Sequence, residues 1–102
     1  MKIIWTVPAT VDLENIKGFI GQDSQYYALR FVEKLFNLVE NLTVFPRVGR
    51  KVPEANNENI RELIFQNYRI IYRLEHEFIA IIAVIHCARD SQNPALKPWE
   101  SE

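Results

Sequence analysis

The sequence is short of several things, and each shortage closes off a class of function. It has one cysteine, Cys87, so no internal disulfide can form, and a reducing cytoplasm is the expected compartment. The start of the chain shows no basic stretch followed by an apolar run and a cleavage site, so no secretory signal is expected. Two histidines, His76 and His86, lack ligand spacing with other donors, which argues against a metal centre. No glycine-rich loop suggests a bound nucleotide, and no cofactor is expected. The longest unbroken apolar run, Phe78 to Ile85, is eight residues, against roughly 20 for a membrane-spanning helix. No repeat or low-complexity tract is present. A formal net charge of -1 lacks the excess of one sign that marks a uniformly basic nucleic-acid binder.

What is present is an ordinary globular composition, 48% apolar and 25% charged over 102 residues, enough for one domain around one core. Lys2 to Val7 is β-branched and aromatic, which reads as a first strand, and Pro8 suits the first turn of a helix. Ala9, Leu13, Ile16 and Ile20 then recur at helical spacing, with Asp12, Glu14, Asn15 and Lys17 on other sides. Gly21 is a candidate stop, and Asp23 or Ser24 a candidate cap for a second helix from Gln25 to Leu42. That helix carries two overlapping apolar rows, Phe31-Leu35-Leu38-Leu42 and Ala28-Val32-Leu35-Val39, a stripe broad enough for both a sheet and a partner helix. Phe45 to Glu54, with two prolines and one glycine, reads as irregular.

From Asn59 to Arg89 three runs rich in Ile, Val, Phe and Tyr are divided by Gln66-Asn67 and Glu75-His76-Glu77, the pattern of a three-stranded antiparallel meander. The whole is α+β, β-α-α-β-β-β, with a helical hairpin on one face of a small, mainly antiparallel sheet. Residues 90–102 form an irregular C-terminal tail of the same domain, and Trp99 within it is a candidate for docking.

Cations inside strands need a reason. Period-two alternation puts Arg69, Ile71 and Arg73 on one side of their strand and Tyr68, Ile70, Tyr72 and Leu74 on the other, of which one side reads as buried. An even-numbered turn at Gln66-Asn67 places Arg61 opposite the Arg69 side and an odd-numbered one brings it over, while a two-residue turn at Glu75-His76 brings His86 onto the arginine side and a three-residue turn moves it to the other face; the sequence leaves both registers open. The structural reading of these residues is simple: Arg69 and Arg73 pair with Glu62, Glu75 or Glu77, Arg61 pairs with Glu62, His86 ends a strand, and Arg89 holds the tail. Cys87 and His86, being adjacent on a strand, point to opposite faces and make no dyad. Gly49 suits a position of positive φ.

Pro46-Arg47-Val48-Gly49-Arg50 with Val52-Pro53-Glu54, Ile60-Arg61-Glu62-Leu63, Tyr68-Arg69-Ile70-Ile71-Tyr72-Arg73 and Val84-Ile85-His86 with Arg89 together resemble the ParE/RelE toxin superfamily of type II toxin–antitoxin systems. The resemblance is nearest to the ParE branch and covers nearly the whole chain in order. It implies a toxin, often tied to plasmid stabilisation, that a small antitoxin neutralises by wrapping its C-terminal segment over the toxin's surface, with DNA met only through the antitoxin. ParE-type toxins poison DNA gyrase without catalysis, and that is the expected activity. RelE-type relatives cut mRNA on the ribosome, which here would draw on Arg61, Arg69, Arg73 and His86. An inactive homologue that only binds antitoxin is a further alternative. Arg47, Arg50, Lys51, Arg89 and Trp99 are the candidate partner-binding residues.

Overall fold

The computed structural model describes residues 1–87 and 98–100. Strand β1 (Lys2–Trp5) leads into helix α1 (Val7–Gly21), and helix α2 (Gln25–Glu40) returns beside it. A 3-10 turn (Asn41–Thr43), strand β2 (Arg50–Lys51) and a second 3-10 turn (Pro53–Ala55) lead to the meander β3 (Ile60–Phe65), β4 (Tyr68–Leu74) and β5 (Phe78–His86). The five strands lie in the order β1-β5-β4-β3-β2. Among the described strands only the β1–β5 pair is parallel, and the long connection through the helical hairpin and the meander makes room for that pairing. The expected β-α-α-β-β-β architecture is therefore present.

Both helices start where the sequence supplies a cap. Thr6 Oγ1 accepts from Ala9 N–H and donates to the Ile81 carbonyl at 2.8 Å, so one side chain starts α1 and ties it to β5. Val7 thus belongs to the helix and not to the first strand. Ser24 caps α2 through Tyr27 N–H. The apolar rows of both helices meet Tyr68, Ile70, Tyr72, Leu74, Ile79, Ile81 and Val84 to form the main core.

The far face of the sheet is covered as well, contrary to the one-sided burial expected from the pattern. Val52, Ile60, Ile71, Ala80, Ile82, Ala83 and Ile85 form a second cluster, with Ala55, Phe78 and Trp99 packed on it. β4 is buried on both sides because Val52 and Ala55, after β2, and Trp99 take the place of a second layer. Phe45–Glu54 is also less irregular than expected, since Arg50 and Lys51 pair antiparallel with Glu62 and Arg61.

Two registers decide where the candidate site residues go. The β3–β4 turn is the even-numbered Gln66-Asn67, with Gln66 at φ 54°, and it sets Arg61 opposite Tyr72. The β4–β5 turn centres on His76-Glu77, because Glu75 N–H reaches the Phe78 carbonyl, one residue later than the Glu75-His76 turn of the sequence reading. Its length alone would leave His86 on the arginine side. A β-bulge intervenes: Tyr72 faces Ile81 while Ile71 faces Ala83, so Ile82 is the extra residue and everything beyond it changes face. His86 accordingly pairs with Tyr68 on the helix side.

Candidate functional site

The sequence-predicted cations sort into three settings. On the far face, Glu62 is 1% exposed and holds two arginines: Arg69 Nε on Oε1 at 2.5 Å and Arg50 Nε on Oε2. Arg69, itself 7% exposed, also reaches Glu54 Oε2 through Nη1 at 3.1 Å. Burial alone would loosen the proton of Arg69, but Glu62 and Glu54 outweigh it and hold its pKa above the ordinary arginine value. The Glu54 carboxyl is held below its ordinary value, first by a backbone hydrogen bond at its own residue and then, against some burial, by Arg69 and Arg50. Arg73, further along the same face, pairs with Glu75. These pairings agree with the structural reading of Arg69 and Arg73, whereas Arg61 does not pair with Glu62 as that reading had it, because neighbours on a strand face opposite ways.

Arg61 instead works with Tyr72 on the helix side, where the two grip the loop ahead of β2. Tyr72 Oη donates to the Pro46 carbonyl at 2.9 Å and accepts from Gly49 N–H at 3.0 Å. Arg61 Nη1 donates to the carbonyls of Arg47 and Gly49 at 3.2 and 2.9 Å. Burial pushes the Tyr72 hydroxyl above its ordinary pKa, the Gly49 amide and the charges of Arg61 and Arg47 opposing it. Gly49 is required here by space and not by a positive φ, which no described glycine has: a Cβ would lie 2.5 Å from Tyr72 Oη and 2.7 Å from the Glu62 carbonyl oxygen. Sequence reasoning named Gly49 but missed Tyr72, whose place in an apolar run hid its polar end.

Lys51 is outward and pairs with Glu58 at 3.0 Å. His86 stacks edge-on against Tyr68 with ring centroids 5.3 Å apart. Trp99 lies against the second cluster, so its docking is onto this domain. Arg89 lies outside the described residues. The four residues of the nuclease alternative are thus divided, Arg69 and Arg73 on one face, Arg61 and His86 on the other. No group of three or more His, Cys, Asp or Glu side chains among the described residues is placed to hold a metal ion, and none of the described helices is long and apolar enough to cross a membrane.

The family model described as ParE toxin of type II toxin-antitoxin system, parDE, matches residues 3–91. Among individual proteins, Toxin RelE2 of Caulobacter vibrioides is 30% identical over 89 residues, which cover 86% of this chain and 97% of that one. Among solved structures, one described as a chromosomal ParDE TA system from P. aeruginosa superposes with a TM-score of 0.70 at 21% identity. The match covers 84% of this chain and 95% of that chain, and at that identity it speaks for the fold. With a family model spanning the strands, the hairpin and the loop clamped by Tyr72, the chain belongs to the ParE toxin family of type II toxin–antitoxin systems.

Proposed function

We propose that the chain acts by binding and not by catalysis, as a ParE-like inhibitor of DNA gyrase held inactive by a cognate antitoxin. The family model names a ParE toxin and the relative is named a RelE toxin, so the target is argued from the side chains. One observation carries the choice: the groups that RNA cleavage would draw on stand on opposite faces of the sheet. Cleavage through a 2′-hydroxyl needs a base, an acid and cations around one phosphate. Arg69 and Arg73 are instead held by internal carboxylates, and Arg61 by main-chain carbonyls. A formal charge of -1 also suits a protein target better than one wrapped in RNA phosphate. Arg47, Arg50 and Lys51 in the loop and β2, with Arg89, are the proposed contacts to partners, Trp99 being taken up by this domain's own second cluster.

The test is a pair of assays on the purified chain, gyrase-driven supercoiling and cleavage of ribosome-bound mRNA. Inhibited supercoiling with intact message is the expected result, relieved by adding the co-encoded antitoxin. Message cut at defined positions with supercoiling untouched would transfer the chain to the nuclease branch.

A further inference from the structure

Between the first 3-10 turn and β2 the chain places three large apolar side chains in water. Val44, Phe45 and Val48 are 68%, 63% and 62% exposed within five residues. Val48 N–H closes on the Phe45 carbonyl at 3.1 Å, a turn with Pro46 and Arg47 at its tip and Phe45 and Val48 at its two ends. The main chain of this turn faces inward, fixed by Tyr72 and Arg61 at Pro46, Arg47 and Gly49. A loop held by the buried Tyr72 and the half-buried Arg61, from two strands, is pre-organised, so little further ordering opposes binding.

The tip differs from the cations around it. Arg50, Lys51, Arg69 and Arg73 each hold a carboxylate. Among the described residues Arg47 makes no salt bridge, and its charge reaches Glu58 only at a distance. Beside it opens a hollow of about 400 Å³ bordered by Pro46, Arg47, Asn59, Glu75 and His76. Glu75 is already engaged by Arg73.

We propose that this turn and hollow form a docking site for an acidic segment of a protein partner. An Asp or Glu of the partner enters the hollow against Arg47, and an apolar side chain lies over Phe45 and Val48. A nucleic acid is the poorer fit, because phosphate recognition gains from several outward, uncompensated cations in a row, and near Arg47 the side chains of Arg50 and Lys51 hold carboxylates while Arg61 is turned onto main-chain carbonyls. The inference rests on the reading above only in that the chain works by binding protein. It names a surface that the reading left as a set of cations.

Amide shift mapping by NMR on the full chain tests it, with three probes: a short peptide alternating Glu and Leu, its Lys–Leu counterpart, and a single-stranded RNA. The acidic peptide should shift the amides of Val44, Phe45, Arg47, Val48, Glu75 and His76. Arg47→Glu should weaken it by at least about tenfold and reduce its salt dependence, and Phe45→Ser should weaken it with salt dependence kept. Arg47 is exposed, and an otherwise unchanged spectrum verifies that each variant folds. Equal shifts from the Lys–Leu peptide, shifts of the same amides by the RNA, shifts elsewhere, no shift at all, or unaltered affinity in Arg47→Glu would each overturn the proposal. Binding here by a chain that leaves gyrase untouched would refute the gyrase reading alone.

Discussion

Glu62 carries two arginines from a position almost without solvent contact. Breaking such a buried pair from one side strands a charge, and the penalty exceeds what the pair itself contributes. Glu62→Ala should therefore destabilise the fold by about 3–5 kcal/mol in chemical denaturation, while Glu62→Leu with Arg69→Met together should lie much nearer the parent. A double variant as damaged as the single one would show the network is needed for more than charge balance. Tyr72 is the second such residue. Tyr72→Phe leaves the Pro46 carbonyl and the Gly49 amide without their partner, at a loss of about 1–3 kcal/mol. Its folded pKa is raised, so the hydroxyl contributes stability that is whole below the ordinary tyrosine pKa and fades as pH rises through the folded value. The stability gap between parent and Tyr72→Phe should narrow above that range. A gap constant with pH would contradict the burial of this hydroxyl. The pairing of Glu62 with Arg69 was legible in the sequence, but its burial and its second arginine were not, and the polar role of Tyr72 was hidden because a Tyr among isoleucines reads as core.

At the scale of elements, α1 does more than cover the sheet. Past the end of β1, its cap and its first turns supply partners to β5: the capping Thr6 at the Ile81 carbonyl and Asp12 Oδ2 at Val84 N–H, 3.0 Å away. Asp12 had read as part of the polar side of the helix. Asp12→Ala should cost about 1–3 kcal/mol by leaving that amide without its acceptor, and Asp12→Asn, which keeps an oxygen, should recover most of it; equal losses in thermal unfolding would count against this role. Most of the elements were plain in the sequence, since Ser24 announces α2 by its capping hydroxyl and the two apolar rows supply the residues α2 buries, Ala28, Phe31, Leu35 and Val39, although the helix ends at Glu40 and leaves Leu42 to the turn after it. The bulge at Ile82 was not. Phe78 to Ile85 is buried on both faces, so it carries no polar marker of side, and a one-residue slip in it is invisible in the pattern. That slip alone decides which face His86 joins.

Over the whole molecule, the β-α-α-β-β-β topology was legible because both helices and the four longer strands are each bounded by their own turn or cap residues, whereas the two-residue β2 read as irregular. The second cluster was not, because it joins Val52, the strands and Trp99 across long separations, with no local signal to link them. The candidate site was half legible: the arginines were named correctly as strand cations, and their division between faces followed from two registers that only folding fixes. That division bears on mode of action, since a binder titrates its target and a nuclease turns it over. The direct measurement is supercoiling activity and ribosome-bound message followed together as the chain is added from far below to above the target concentration. Action by occupancy predicts inhibition that grows with the amount of chain and levels off near equimolar with gyrase, the message staying whole. Many messages cut per chain at trace amounts would contradict it.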